Sequence, residues 1–368
     1  MGRSEDCSDK ARKENLKLEE TQMKKLIAML LALVMVLSLA ACGGNTAPAE
    51  TQAPAAAAPA ETQAPAPAPA APENEKLVVG FAQIGQESGW RDAETNDVQW
   101  YAARNTDSIE LHFADAQQKQ ENQIKAIRNF IEMGVDVIVF PPVVETGWEA
   151  VLTECQEAGI PVILVDRGID ANADPNLYTT MIASDHVWAG EQAAIVMNDL
   201  LGGEGKVVEL EGTVGASAAV QRKEGFDSYI AANCPGIEIL ASQTGDFTRS
   251  MGKEVMESFL KTYDDIDAVF CHNDDMALGA IEAIKEAGLK PGEDIKIVGV
   301  DGVKGAFEAM LAGEMNCTVE CTPILAQQIF ETAAKLKAGE SVEKWIMSAD
   351  GIYTADMVDQ AVVDSRAY

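Results

Sequence analysis

Residues 109–140 read IELHFADAQQKQENQIKAIRNFIEMGVDVIVF, and the order of patterns within this stretch decides the fold. It begins with an apolar run, 109–114, and ends with a second one, 135–140. Between them, residues 117–133 carry isoleucines at the spacing of one helix face, namely Ile124, Ile127 and Ile131. A strand, a helix and a second strand in this order predict two parallel strands connected by a crossover helix.

The same alternation continues on both sides of this stretch. Further short apolar runs, with helical stretches between most of them, are interpreted as strands at residues 77–82, 160–165, 206–210, 237–240, 268–271 and 295–300. These runs are apolar throughout rather than alternating, as expected of strands buried on both faces. The sequence therefore predicts an α/β fold in which helices cover parallel sheets.

Length and charge limit the classes of protein to which the chain can belong. Its 368 residues are about right for two domains of ~100–150 residues each. The formal net charge is −31, from 28 basic and 59 acidic residues. This charge argues against a nucleic-acid partner, which needs a basic surface, and against docking on anionic lipid by charge alone. We attribute the acidity mainly to solubility.

Residues 23–41 have the pattern of an export signal. Met23 is a second plausible start, two lysines follow it, and residues 26–37 form an apolar run. The run is marginal for a membrane span, which needs ~20 apolar residues, so we favour a cleaved signal peptide over a retained transmembrane helix. Residues 1–22 are polar and charged and have no apolar face, which indicates an over-called start codon.

The end of the signal resembles a bacterial lipobox, with the sequence LAAC at residues 39–42. The resemblance implies that Cys42 becomes the lipidated first residue and anchors the protein to the cell membrane from outside. Residues 42–76 are then rich in proline and alanine, and PAETQAP occurs twice, from Pro48 and from Pro59. Such a segment has too few large apolar groups to offset the entropy of ordering, so we expect a disordered tether.

The seven cysteines do not form a recognisable framework. Their number is odd and their spacing is scattered, which makes a disulfide framework improbable. Cys317 and Cys321 are the only close pair, and no histidine accompanies them. We therefore expect buried thiols and no metal site.

Polar and aromatic side chains follow the ends of the predicted strands. In parallel sheets the ligand crevice lies beyond the carboxyl ends of the strands. Carboxylates and amides there can bond pairs of hydroxyl groups, while aromatic rings cover an apolar sugar face. The set predicts a polyhydroxylated ligand, and it comprises Glu87, Trp90, Arg91, Asp166, Arg167, Arg222, Phe247, Asn273 and Asp301.

Each of these residues also has a purely structural interpretation. Strand-end residues such as Asp115 and Asp274 often cap the following helix. Asp166 and Arg167 are adjacent, so they could form a local ion pair, and Trp90 could be part of the core. Only the repetition of such groups at strand ends favours a site.

Several motifs between residues 77 and 355 carry a family resemblance. They are ESGWR at 87–91, FADAQQ at 113–118, VETGW at 144–148, DR at 166–167, ELEG at 209–212, GDFTR at 245–249, HNDDMALG at 272–279 and VD at 300–301. With these motifs the chain resembles the periplasmic-binding-protein family of ribose/galactose type. The SGWR segment makes it most similar to the galactofuranose-binding components of bacterial sugar ABC importers.

The resemblance implies a periplasmic-binding-protein type I fold. Two doubly wound parallel-sheet lobes would be joined by a three-crossover hinge, near Ser184, Glu320 and Asp350, and would close on a sugar. The N-terminal lobe would comprise residues 77–184 plus 321–349. The C-terminal lobe would comprise residues 185–320 plus 350–368.

The same resemblance implies roles for the sugar contacts. Trp90 and Phe247 would be the two opposing aromatics, and Asp166 with Arg167 would grip ring hydroxyls. The remaining sugar contacts that the resemblance implies would be Arg91, Arg222, Asn273 and Asp301. Glu87 and Glu320 occupy positions of varying polar contacts where ribose binders tend to carry Asn and Gln, so plain ribose is in doubt as the ligand.

The function implied is capture of a monosaccharide for an ABC importer whose permease and ATPase are separate chains. An alternative is an extracellular sensor that presents its liganded form to a receptor kinase. The export signal disfavours the sugar-responsive repressors that share the fold. The pair Asp274 and Asp275 could suggest a glycoside hydrolase, yet no Gly-x-Ser-x-Gly or His-Glu-x-x-His motif is present, and residues 202–207 lack the spacing of a phosphate loop. We expect no enzymatic activity, no cofactor, no nucleic acid partner and a monomer.

Overall fold

The computed structural model describes residues 76–368. The predicted start region 1–22, the signal peptide 23–41, the anchor Cys42 and the tether up to residue 75 lie outside these described residues. Among residues 76–368, no helix has the length and apolar character needed to cross a membrane.

The described chain forms two six-stranded sheets. The first has the order β11-β5-β4-β3-β1-β2 and the second the order β12-β10-β9-β8-β6-β7. In chain order the strands are β1 (Leu77–Gln83), β2 (Ile109–Asp115), β3 (Val137–Phe140), β4 (Val162–Val165), β5 (Thr180–Ala183), β6 (Glu204–Glu211), β7 (Gly236–Thr244), β8 (Ala268–Cys271), β9 (Lys296–Asp301), β10 (Cys317–Glu320), β11 (Trp345–Met347) and β12 (Ile352–Thr354).

Helices cover both faces of each sheet. In chain order they are α1 (Gly89–Arg104), α2 (Gln120–Met133), α3 (Glu149–Glu157), α4 (His186–Leu201), α5 (Ser217–Asn233), α6 (Arg249–Thr262), α7 (Asp274–Glu286), α8 (Lys304–Leu311), α9 (Ala326–Lys337) and α10 (Gln360–Ser365), with 3₁₀ turns at Pro175–Leu177 and Ala355–Met357. In the first lobe, α1 and α9 pack on one face of the sheet, while α2 and α3 pack on the other. The strands β3 and β4 are therefore buried along their whole length, as their apolar sequences predicted.

The strand order of both sheets is the doubly wound order 2-1-3-4-5, extended by one edge strand. The pairings within the first sheet are all parallel. The edge strand β12 instead runs antiparallel to β10, so the second sheet is mixed. The sequence patterns did not predict β5, β10, β11 or β12, because none of these strands contains a run of four apolar residues, as the equally short β3, β4 and β8 do.

The chain passes between the two sheets three times, as the fold class predicted. It crosses after β5, after β10 and between β11 and β12, close to Ser184, Cys321 and Asp350. Side chains tie these crossovers together: the Ser184 hydroxyl lies 2.9 Å from the Ser348 hydroxyl and 3.1 Å from the Cys321 sulfur. Ser348 in turn donates to Asp350 Oδ2 over 3.0 Å. The three crossovers therefore form one hydrogen-bonded hinge.

Candidate functional site

A small cavity lies where the carboxyl ends of the two sheets face each other. Its volume is about 20 Å³, which is room for about one water molecule. All the predicted sugar contacts except Glu320 line it. The lining residues are Glu87, Ser88, Trp90, Arg91, Asp166, Arg167, Ala218, Arg222, Phe247, Asn273 and Asp301.

On the first-lobe side, Arg91 is the centre of an ion-pair network. It is fully buried in the first turn of α1, where the Ser88 hydroxyl caps the helix and accepts from the Arg91 N–H. Its guanidinium contacts three carboxylates: Nε lies 3.3 Å from Glu87, while Nη1 bonds Glu94 and Nη2 bonds Asp166. The network holds these side chains in one geometry, since a buried charge without a partner is costly.

Arg167 is less well satisfied than Arg91. Its Nη2 donates to Glu87 Oε1 over 2.5 Å, but its buried Nε and Nη1 have no hydrogen-bond partner. The local ion pair considered from the sequence is loose, with Nε 3.7 Å from Asp166 Oδ2. Burial lowers the pKa of Arg167, against the attraction of Glu87. Arg167 therefore presents N–H groups that can donate hydrogen bonds to a ligand oxygen.

Asp166 occupies a strained turn directly after β4. Its φ of 58° is in the left-handed region, and His186 Nε2 lies 2.9 Å from its carbonyl oxygen. Burial alone would raise the pKa of Asp166, but the charge of Arg91, supported by other neighbours, holds it below its ordinary value. Burial lowers the pKa of His186 to about 4, and the charge of Arg222 adds to this effect. The turn at Asp166 thus combines an ionised carboxylate with the neutral imidazole of His186, from the start of α4, at neutral pH.

On the second-lobe side, Arg222 projects from α5. Its Nη2 lies 3.2 Å from Asp301 Oδ1, its Nη1 donates to the carbonyl of His272, and its buried Nε has no hydrogen-bond partner. A close helix crossing fixes this turn of α5, because a Cβ on Gly190 of α4 would lie only 2.1 Å from the Arg222 carbonyl oxygen. Glycine at position 190 therefore allows α4 to approach α5 at the site.

Asp301 completes the second-lobe charges at the end of β9. Burial raises its pKa well above the ordinary value, even though Arg222 opposes the shift. Its φ of 124° lies in the region that favours glycine. A strained backbone at this point aims the carboxylate into the cavity, beside Arg222.

Phe247 forms an aromatic wall between the arginines of the two lobes. The Arg167 Cζ lies 5.1 Å and the Arg222 Cζ 5.9 Å from the centre of its ring. Asn273 donates from Nδ2 to the Phe247 carbonyl over 3.0 Å and caps α7 with Oδ1. One amide hydrogen of Asn273 remains for a ligand.

Three predicted residues have structural roles beside or instead of the predicted one. Trp90 lines the cavity, yet it packs within the second-lobe core, and its Nε1 bonds the Cys321 carbonyl. Glu320 does not line the cavity, because its carboxylate bonds Arg366. Asp274 does not cap α7 but accepts from the N–H groups of Gly302 and Val303.

Sequence patterns did not identify the residues that join the lobes across the cavity. Ser217 accepts from the Gly168 N–H with its hydroxyl over 2.8 Å, and Asp275 Oδ2 accepts from the Gly89 N–H over 2.7 Å. Small polar residues at helix starts are too common to be recognised as such contacts. Only the position of Ser217 at the start of α5, just before Arg222, could have drawn attention to it.

The chain is similar to known proteins in sequence and in fold. Residues 79–341 match the family model of a periplasmic binding protein domain. The galactofuranose-binding protein of Escherichia coli (strain K12) is 50% identical to this chain over 285 residues, which are 76% of this chain and 88% of that protein.

Solved structures agree in sequence and in shape. A protein of Mycobacterium smegmatis in complex with β-D-fucofuranose is 49% identical, with a TM-score of 0.73, over 76% of this chain and 92% of that one. The periplasmic binding protein component of the arabinose ABC transporter from Shewanella sp. ANA-3, bound to α- and β-L-arabinofuranose, is 48% identical. Its TM-score is 0.75, over 79% of this chain and 95% of that one.

Proposed function

This chain belongs to the periplasmic binding protein family, and we propose that it captures a monosaccharide in furanose form for an ABC importer. Two of the relatives just described are named as binding proteins, and the descriptions of the three mention three different furanoses. Capture without chemical change is therefore the role that we assign to the cavity.

The observation that carries the proposal is a set of buried N–H donors without partners. Arg167 Nε and Nη1 and Arg222 Nε are all buried and lack hydrogen bonds. A buried polar group without a partner costs ~1–3 kcal/mol, and more when it is charged. Ligand oxygens between the lobes would remove this cost, and hydroxyl groups supply such oxygens.

The charges of the cavity favour a neutral ligand. Arg91 and Arg167 already have carboxylate partners in the first lobe, and Arg222 has Asp301 in the second. A free phosphate or carboxylate on the ligand would have to compete with these partners. Hydroxyl groups can instead donate to the carboxylates and accept from the arginines at the same time.

We propose that the predicted residues lining the cavity are the sugar contacts. Phe247 and Trp90 would cover the apolar faces of the ring, and the charged and amide groups would bond its hydroxyls. For Glu320 we propose a supporting role at the second crossover through Arg366. The cavity volume of about 20 Å³ implies that a sugar enters only when the lobes open.

The other parts of the proposal concern location and partners. We propose that residues 23–41 direct export, that a lipid on Cys42 anchors the chain and that residues 42–76 are the tether. The lobes would have the boundaries given by the family resemblance, and the liganded monomer would deliver its sugar to a separate permease. A sensor that addresses a receptor kinase would use the same site, so only the partner distinguishes the two roles.

Titration calorimetry on the purified chain tests the proposal. The panel comprises D-galactose, D-fucose, L-arabinose, D-ribose and D-glucose, and the ring form of a bound ¹³C-labelled sugar is read by NMR. We expect binding of a sugar whose bound form is a furanose, and recovery of that sugar unaltered. Binding of none of the panel would contradict the proposal, while a bound pyranose would restrict it to monosaccharide capture.

A further inference from the structure

A buried histidine lies directly behind the second-lobe wall of the cavity. His272 and Glu209 are both fully buried, and His272 Nε2 lies 2.9 Å from Glu209 Oε1. Neither residue lines the cavity. The sequence motifs that contain them carried the family resemblance, but the proposed sugar contacts do not include them.

The contacts of the ring define its protonation. The Gly212 N–H donates to Nδ1 over 3.3 Å, so Nδ1 carries no proton. Nε2 must then carry the proton, and its N–H donates a hydrogen bond to Glu209. The opposite tautomer would break both hydrogen bonds, and the Glu209 carboxylate thereby orients the imidazole.

Glu209 is itself held by charge. Its Oε2 lies 2.5 Å from Lys223 Nζ, and the Ser242 hydroxyl bonds the same oxygen. Burial would raise the pKa of Glu209, but the hydrogen bond with His272 and the charge of Lys223 hold it below its ordinary value. The carboxylate is therefore ionised throughout the physiological pH range and accepts a hydrogen bond from the Nε2–H of His272.

His272 reaches the cavity wall through two neighbours. Its carbonyl accepts from Arg222 Nη1. Its ring fixes the Gly212 N–H, and Gly212 supports Phe247 so closely that a Cβ there would lie 2.0 Å from the Phe247 Cζ. Any movement of the Gly212 backbone towards the ring would displace Phe247.

We propose that His272 is a positioning residue for ligand binding, because its ring, oriented by Glu209, holds the Gly212 backbone against which Phe247 packs. This inference rests on the proposed function, since the wall that His272 positions is the wall assigned to the sugar. Glu209 and Lys223 act one step further away, by selecting the Nε2–H tautomer.

Two substitutions of His272 separate its two hydrogen bonds. In H272N the amide oxygen takes the place of Nδ1 and can still accept from Gly212, whereas the bond to Glu209 is lost. In H272Q the amide nitrogen takes the place of Nε2 and can still donate to Glu209, whereas the bond to Gly212 is lost. Both variants replace the buried imidazole ring with a carboxamide side chain. Each variant therefore serves as a control for the loss of ring packing in the other.

The experiment measures affinity by calorimetry with D-galactose, or with whichever panel sugar the wild type binds. We expect H272Q to weaken binding ~5- to 10-fold, the effect of one lost hydrogen bond, and H272N to stay within ~3-fold of the wild type. In F247L, the further change H272Q should have little effect, because the two residues act through one contact. With ¹⁵N-glycine labelling, the Gly212 amide signal should shift in H272Q and much less in H272N.

The outcomes separate this inference from the proposed function. If the wild type binds a sugar and H272Q and H272N bind it equally well, the positioning role is overturned and the proposed function stands. Equal losses in both variants that add fully to the loss in F247L would indicate a general loss of packing and would also overturn it. A wild type that binds no sugar overturns the proposed function itself, whatever the Gly212 signal does.

Discussion

The two lobes form opposite walls of one cavity, yet they hold their arginines by different means. In the first lobe, Arg91 and Arg167 share a dense network with three carboxylates, from Glu87, Glu94 and Asp166. In the second lobe, Arg222 has one carboxylate partner and one backbone carbonyl. The first wall is thus assembled from charges and the second mainly from backbone contacts.

The difference is notable because the two walls share one backbone design. After β2, residues Gln117 and Gln118 have φ values of 54° and 60°. After β7, Asp246 and Phe247 have φ values of 51° and 60°. The last position of the turn is the exposed Gln118 in the first lobe and the buried Phe247 in the second lobe. One fold repeated twice therefore gives a cavity with two unlike walls.

Removing a residue of the same type should therefore cost a different free energy in each wall. Removing a cation from the first network leaves buried carboxylates without compensation. Removing a group from the second wall leaves mostly neutral partners, which cost less to leave unpaired. Substitutions in the two walls should therefore differ in their effects on stability and on binding.

The largest effect is expected for Arg91→Leu. It leaves Glu94 and Asp166 buried beside each other with reduced compensation, so the free energy of unfolding should fall by ~3–5 kcal/mol and sugar binding should be lost. Urea unfolding and calorimetry measure the two effects. The control is Arg128→Leu, because Arg128 pairs with Glu154 on the surface and its removal should leave the free energy of unfolding nearly unchanged. Equal effects of the two changes would contradict the network.

Arg167→Ala should separate binding from stability. Two of its nitrogens lack hydrogen-bond partners, and Glu87 keeps its contact with Arg91, so removal of Arg167 should leave unfolding cooperative and cost less stability than removal of Arg91. Affinity should fall ~100-fold or more, which corresponds to ~2.7 kcal/mol, because the ligand loses a buried charged donor. Arg167→Lys should recover only part of this, since an ammonium cannot replace the guanidinium fork. Unchanged affinity in Arg167→Ala would remove Arg167 from the site.

The pKa values of Asp166 and Asp274, one buried carboxylate from each lobe, should be shifted in opposite directions. The charge of Arg91 holds the pKa of Asp166 below its ordinary value. Burial instead raises the pKa of Asp274, which lies behind the second wall, to about 7. The folded state therefore binds the proton of Asp274 more tightly than the unfolded state, whose pKa is near 3.8. This contribution to stability is present at low pH and is lost as the pH rises through about 7.

Asp274→Asn should remove that pH dependence. Between pH 5 and pH 8 the wild type should lose ~3 kcal/mol of unfolding free energy relative to the variant, since about two pKa units lie between pH 5 and the folded pKa and each is worth ~1.4 kcal/mol. Urea titrations of both proteins at the two pH values provide the measurement. Parallel pH profiles of wild type and variant would show that Asp274 is ionised alike in the folded and unfolded states.

The smallest effect is expected at the two equivalent turn positions. Phe247→Leu should weaken sugar binding ~5-fold, because aromatic contacts are worth ~1 kcal/mol beyond their area. Gln118→Leu, at the matching position of the first lobe, should leave affinity unchanged, since this side chain lies outside the cavity and donates to Gln86. Calorimetry on both variants compares the walls directly, and similar losses would contradict their asymmetry.

Much of the fold was predictable because its signals are local. The stretch 109–140 encodes a strand, a helix and a strand, and the structure contains β2, α2 and β3 there. The predicted start of the third strand at residue 135 was two residues early, because Gly134 still adopts a left-handed turn and only Val137 begins the ladder. The short strands at the hinge lacked any such signal, since pairing with distant strands determines them.

For the site, the strand-end positions of Asp166, Asn273 and Asp301 were visible in the sequence, because strands of parallel sheets end at one edge. The side-chain partners were not visible. Glu320 also follows a strand, yet Arg366 from the C-terminal segment binds it. Nothing local distinguishes Glu320 from Glu87, which does line the cavity.

The sequence by itself determined the α/β class, the positions of most strands and the residue types that meet beyond their ends. These properties depend on hydrophobic periodicity and on residues adjacent in the chain. Only the tertiary structure decided that Arg91 binds Asp166, that Arg167 retains free donors and that His272 supports the wall of Phe247. The physical reason is that burial and charge act between residues that are far apart in sequence, as for Arg91 and Asp166, and become neighbours only when both lobes are folded.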